Sequence, residues 1–137
     1  MVSVAAVRVV AGIIWNADNT QLLISKRLQH VHAGGLWEFP GGKLENDESH
    51  EIALRRELKE ELGIDFFKSE NFDSVLFEYP EKQVHITFLE VYGVTGKVVA
   101  NEGQEWRWVS LQDLSQHQFP DANIQVVDKL LKKISVV

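Results

Sequence analysis

The sequence predicts an α/β domain built on a mixed sheet, with at least two helices on opposite faces. Three observations carry this. Apolar runs rich in β-branched residues recur at residues 4–15, 22–26, 72–79 and 84–94. An acidic stretch with helical spacing interrupts them at 49–62. Near the end Ile124, Val127, Leu130, Leu131 and Ile134 recur at the period of a second helix.

Each element has a local reason. Residues 4–15 read as a long strand; the run is broken by Arg8, lacks a basic leader and is too short to span a bilayer, so neither a signal segment nor a membrane partner is expected. Residues 16–20 form a polar turn, and 22–26 a second strand that closes a hairpin. Residues 27–36 are then a loop. Gly41-Gly42, after Phe39-Pro40, is expected to break regular structure ahead of a helix that Ser49 caps and Gly63 stops after Leu62. The runs at 72–79 and 84–94 are strands joined by a turn at Pro80-Glu81. Residues 105–109 alternate, with Trp106 and Trp108 on one face.

A chain of 137 residues fits one domain, residues 1–137, and its 45% hydrophobic and 25% charged residues suit an ordinary core rather than disorder. No cysteine is present, which excludes disulfides, thiolate zinc sites and cysteine nucleophiles and fits a reducing compartment, the cytoplasm. The net charge of −6 argues against long nucleic acids, which need clustered Lys and Arg. A small polyphosphate remains open if carboxylates hold cations that face it. A monomer is expected.

The chemistry concentrates in residues 41–64. At 100° per residue Glu57, Glu60 and Glu61 fall within about 100° of arc, beside an apolar stripe of Leu54, Leu58 and Leu62. Like charges at this spacing repel, and Arg56, placed to pair with Glu60, cannot neutralise three carboxylates. Divalent cations can, and oxygen-only ligands suit Mg²⁺ or Mn²⁺. The acidic octamer by itself reads first as a solvated helix face laced with Glu and Lys pairs. The preceding glycines favour chemistry, because a Gly-Gly turn lets backbone approach a metal-bound phosphate.

The segment resembles the Nudix signature at every defined position: Gly42, Glu48, Arg56, Glu57, Leu58, Glu60, Glu61, Gly63 and Ile64. The resemblance, with a box at 42–64, implies a Nudix α/β/α sandwich and hydrolysis of a nucleoside diphosphate linked to another moiety. It implies metal ligands at Glu57, Glu60, Glu61 and the Gly41 carbonyl. Arg56 would orient the acidic face and Glu48 would brace the loop.

Beyond the box the chain resembles the MutT-type branch, which removes 8-oxo-dGTP from the nucleotide pool and so prevents mutation. The stretch Leu36-Trp37-Glu38-Phe39-Pro40-Gly41-Gly42 has that branch's pattern at the nucleotide site, with Arg27 and His32 ahead of it. By resemblance Glu102 would add a carboxylate near the metals, and Asn123 would read the purine edge. Glu57 would be the base, with Glu102 second. Each flanking residue also has a plain reading: His32 and Glu102 as solvated loop residues, Asn123 as a turn or helix cap. One departure is Glu81-Lys82, where the branch carries an acidic residue followed by Arg; Lys lacks the planar fork, which opens the base preference. The expected activity is conversion of 8-oxo-dGTP, and more weakly dGTP, to monophosphate and pyrophosphate. Alternatives are a pyrimidine-preferring enzyme acting on CTP or 5-methyl-dCTP, and a non-catalytic nucleotide-sensing module.

Overall fold

The computed structural model describes residues 6–29 and 34–135, with only the backbone for 133–135. In chain order the elements are β1 (Ala6–Trp15), β2 (Gln21–Lys26), β3 (Trp37–Glu38), β4 (Gly41–Lys43), α1 (His50–Leu62), β5 (Lys68–Tyr79), β6 (Lys82–Tyr92), β7 (Trp106–Ser110), a 3₁₀ turn (Gln112–Gln116) and α2 (Asp121–Ser135). The strands form one mixed sheet in the order β3-β2-β1-β6-β5, with β4 added to β1 and β7 to β2. Only the β1–β6 pairing is parallel; the others are antiparallel.

Alternation along β1 sorts two cores. Val10 and Ile14 face α1, where Leu54, Leu58 and Leu62 are fully buried with Leu23, Leu89 and Val91. Ala11, Ile13 and Trp15 face the other way, onto Leu114 of the 3₁₀ turn, Phe119 of the segment after it, and Val126 and Leu130 of α2. The two helices therefore cover opposite faces of the sheet, as expected. Each fully buried leucine contributes roughly 1.5–3 kcal/mol, so the α1 stripe alone is enough to seat the acidic helix firmly. No helix among the described residues is long and apolar enough to cross a membrane.

Several elements differ from the reading by local pattern. Gly41-Gly42 does not end regular structure: Gly41–Lys43 pairs with β1, placing Ala11 opposite Gly41 and Val10 opposite Gly42. The approach is so close that a Cβ at Gly41 would collide with the Val10 carbonyl oxygen. β5 begins at Lys68 rather than residue 72, because pairing with β6 recruits the polar residues 68–71 across a bulge at Asn71/Asp73. β6 ends at Tyr92, where Gly93 turns the chain at φ 72°. Ile124 is 45% exposed and Val126 fully buried, so the buried stripe of α2 sits away from the first residue of the proposed series. Residues 4 and 5 of the first strand and the side chain of Ile134 lie outside the described residues.

Candidate active site

α1 starts and stops as its sequence dictates. The Ser49 hydroxyl accepts a hydrogen bond from the Ile52 N–H at 3.2 Å, and Gly63 ends the helix in the left-handed region at φ 69°. Its centre is Arg56. Nε and Nη2 donate to both oxygens of Glu48 at 2.8 and 2.9 Å, Nη2 reaches the Lys43 carbonyl at 3.1 Å, and Nη1 donates to Glu57 at 2.9 Å. Glu48 also accepts from the Glu45 N–H at 2.8 Å. The Arg56 hydrogen bonds, then that backbone bond, hold the Glu48 carboxyl down at about 2. The pairings of Arg56 with Glu60, at 3.5 Å, and with Glu45, at 3.6 Å, are looser, and both of those carboxylates are exposed. The guanidinium is spent on Glu48 and Glu57 because the loop 44–48 folds back over it, which helical spacing could not show.

Of the three helix carboxylates, Glu57 and Glu61 are half-buried and Glu60 is exposed. Glu57 lies against Gly42; a Cβ there would come within 2.6 Å of both carboxylate oxygens. Glu61 is pushed up to about 9, first by burial and then by the charges of Glu57, Glu102 and Glu38. Four carboxylates from three separate segments thus converge. Glu102 is brought in by a loop that satisfies the last carbonyls of α1. Asn101 Nδ2 donates to the Glu60 carbonyl at 2.9 Å, Gln104 Nε2 to that of Glu61 at 3.2 Å, and the Val99 N–H to that of Leu62 at 2.9 Å.

The acidic cluster opens onto a cleft of about 450 Å³, shared through Gly42 and Glu38. Arg27, Phe39, Gly41 and Asn123 line it. Arg27 and Glu38 form an ion pair at 2.8 Å across its wall. Burial raises the Glu38 carboxyl, opposed by Arg27 and reinforced by Glu102. Phe39, 2% exposed, stacks on Phe119 at 5.3 Å, tying the loop before β4 to the segment that leads into α2. Asn123 sits inside the first turn of α2 rather than ahead of it, so it is no N-cap; it is 9% exposed, and its side-chain amide hydrogen-bonds none of the described residues.

Pro40 stands behind the wall, its carbonyl accepting from the Gly12 N–H at 2.8 Å. His32 lies outside the described residues. Local pattern missed the floor and far wall: Val7 and Val9 of β1, Val84, Ile86 and Phe88 of β6, and Tyr79. The signal was available as period-two alternation on the two strands, but only their parallel pairing makes those residues one surface.

The donor chemistry fits a hard divalent cation: oxygen ligands only, more negative charge than Arg56 neutralises, and a Glu61 carboxyl pushed up by burial and by the neighbouring carboxylates. Among the described residues no three His, Asp or Glu side chains already stand together in a position to hold a metal ion. Glu57 is held aside by Arg56.

Comparison with known proteins agrees with this arrangement. The NUDIX domain model matches residues 6–130. The 8-oxo-dGTP diphosphatase of Haemophilus influenzae is 39% identical over 127 residues, 93% of each chain. The CTP pyrophosphohydrolase of Escherichia coli is 34% identical over 125 residues, 91% of each chain. A solved MutT structure, from a study of the Aliivibrio salmonicida and Vibrio cholerae proteins, superposes with a TM-score of 0.83 at 39% identity, covering 94% of this chain and 99% of that one. A signature loop and helix on this sheet, with likeness along almost the whole length to proteins of that name, places the chain in the Nudix hydrolase family, in its MutT-type branch.

Proposed function

We propose that the protein hydrolyses 8-oxo-dGTP, and dGTP more weakly, to the nucleoside monophosphate and pyrophosphate, sanitising the nucleotide pool in the cytoplasm. The observation that carries this is the junction of the carboxylate cluster with a cleft whose lining includes Asn123. Phosphates at the acidic end and a base at the amide end would occupy one continuous space. The amide offers a donor and an acceptor together, as a purine edge requires.

Glu57, Glu60, Glu61, Glu102 and the Gly41 carbonyl are the residues that would hold Mg²⁺, with Mn²⁺ able to substitute. Bound there, such an ion neutralises phosphate charge and acidifies a coordinated water. The chain's own work is positional and protonic. Arg56 Nη1 fixes one oxygen of Glu57, leaving the other to take the proton of the attacking water. The water oxygen bonds to the β-phosphorus as the bond from the β-phosphorus to the oxygen bridging it to the α-phosphorus breaks, so the monophosphate leaves with that bridging oxygen and pyrophosphate forms. Arg27 lines the cleft and from there would face the nucleotide.

A second reading, preference for a pyrimidine such as CTP or 5-methyl-dCTP, is favoured by the likeness to a CTP pyrophosphohydrolase and by Lys82 in the cleft wall. A panel of 8-oxo-dGTP, dGTP, CTP and 5-methyl-dCTP with product identification separates the two. The expected products are monophosphate and pyrophosphate, with 8-oxo-dGTP turned over best and activity lost in EDTA and restored by Mg²⁺. Release of orthophosphate, or turnover that persists in EDTA, would sink the proposal.

A further inference from the structure

A second group of cationic side chains gathers on the other face of the sheet. Even-numbered residues of β1 face α1, as Val10 and Ile14 show, which puts Arg8 on that face and away from the cleft. Arg8 is directly beside His85 in the parallel β1–β6 register, and Thr87 is the next residue of β6 on the same face. His50, the first residue of α1, meets Thr87 there: its Nε2 lies 3.2 Å from the Thr87 hydroxyl. Arg8, His50 and His85 thus come from three different elements and share one open patch, with Arg8 and His85 exposed and His50 half-buried.

Several acids on the adjoining elements are engaged elsewhere. Arg56 engages Glu45 and Glu48, and Arg55 and Ser69 engage Glu51. On the same sheet face Glu78 accepts from Gln83. Arg8 and His85 make no ion pair with the described residues. The charges that act on His50 are cationic as well: burial, then Arg8 and His85, lower its pKa. In a chain of net charge −6, an exposed guanidinium set beside two imidazoles, with no carboxylate paired to Arg8 among the described residues, needs an explanation.

We propose that Arg8, His50 and His85, with the Thr87 hydroxyl, form a second anion site that takes a phosphate or pyrophosphate group, on the sheet face opposite the nucleotide cleft. A tetrahedral dianion matches the groups available: a guanidinium fork from Arg8, ring N–H donors from two imidazoles and a hydroxyl. The positive end of α1 adds to the attraction at His50. The site is independent of the proposed reaction, because none of its residues lines the cleft or belongs to the carboxylate cluster.

The test follows the C2 protons of His50 and His85 by NMR in the full chain, in EDTA and at constant ionic strength, with chloride replaced stepwise by inorganic phosphate. Binding should raise both histidine midpoints saturably, by about half a pH unit or more, since a dianion stabilises the imidazolium. Arg8→Gln should weaken the response at least about fivefold and leave kcat on the nucleotide substrate unchanged. A pyrophosphate series identifies the occupant: response at lower concentration than with phosphate assigns the site to the reaction product, and the reverse order assigns it to orthophosphate. Equal midpoints in chloride and phosphate, or an Arg8→Gln protein that responds like wild type, would overturn the site.

Discussion

The two halves of the candidate site are built in opposite ways. The acidic half is mostly local: Gly42, Glu48, Arg56, Glu57 and Glu61 lie within 20 residues, one arginine ties loop to helix, and Glu38 and Glu102 are added from outside that stretch. The cleft half is assembled from β1, the β3–β4 region, β6 and the start of α2, whose residues are far apart in the chain and meet only through the sheet. Chemistry that needs a few oxygens at fixed spacing can be carried by one helix. Recognition of a base needs a walled space, and a wall takes several elements.

If the acidic half supplies the base, Glu57→Gln should leave the fold and Tm nearly unchanged while lowering kcat about a thousandfold or more. A folded mutant with wild-type turnover removes Glu57 from the mechanism. The two adjacent glycines sharpen the same contrast. A Cβ at Gly42 meets only the movable end of Glu57, so Gly42→Ala should lower kcat roughly ten- to a hundredfold with little change in Tm. A Cβ at Gly41 meets backbone of β1, so Gly41→Ala should cost about 1–3 kcal/mol of stability in chemical denaturation. The reverse pattern would mean that the loop relaxes differently from what these contacts require.

In the cleft half, Asn123→Ala should reduce the preference for 8-oxo-dGTP over dGTP by about 1–3 kcal/mol in the ratio of kcat/KM, leaving basal hydrolysis in place. An unchanged ratio would show that the buried amide reads no base edge and would move the assignment toward pyrimidines. The smallest effect concerns the Glu48 brace. Its carboxyl is held at about 2 against an ordinary 4.5, so the folded state favours its ionised form. That stability is present above pH 4.5 and is lost as pH falls toward 2. Glu48→Gln should therefore unfold more easily than wild type near pH 6, and the gap should close across that acid window. A gap independent of pH would assign the loss to packing.

The helix from Ser49 to Gly63, its buried leucines, the carboxylate positions and the family were legible from residues 41–64, because capping, 3.6-residue spacing and a contiguous motif are all short-range. The helices' placement on opposite faces followed from alternation in the strands. What local pattern could not supply was anything decided by a partner far along the chain. Gly41–Lys43 became a strand because β1 offered an edge close enough for glycine alone. Arg56 turned from Glu60 to Glu48 because the loop closed over it. Glu102 reached the acidic cluster because Asn101 and Gln104 capped the end of α1. Asn123 was left facing a cleft, rather than capping a helix, because α2 begins two residues earlier and packs against a sheet whose order the chain sequence does not state. Spacing along a helix fixes which side chains share a face; only the packing of distant segments determines what that face meets.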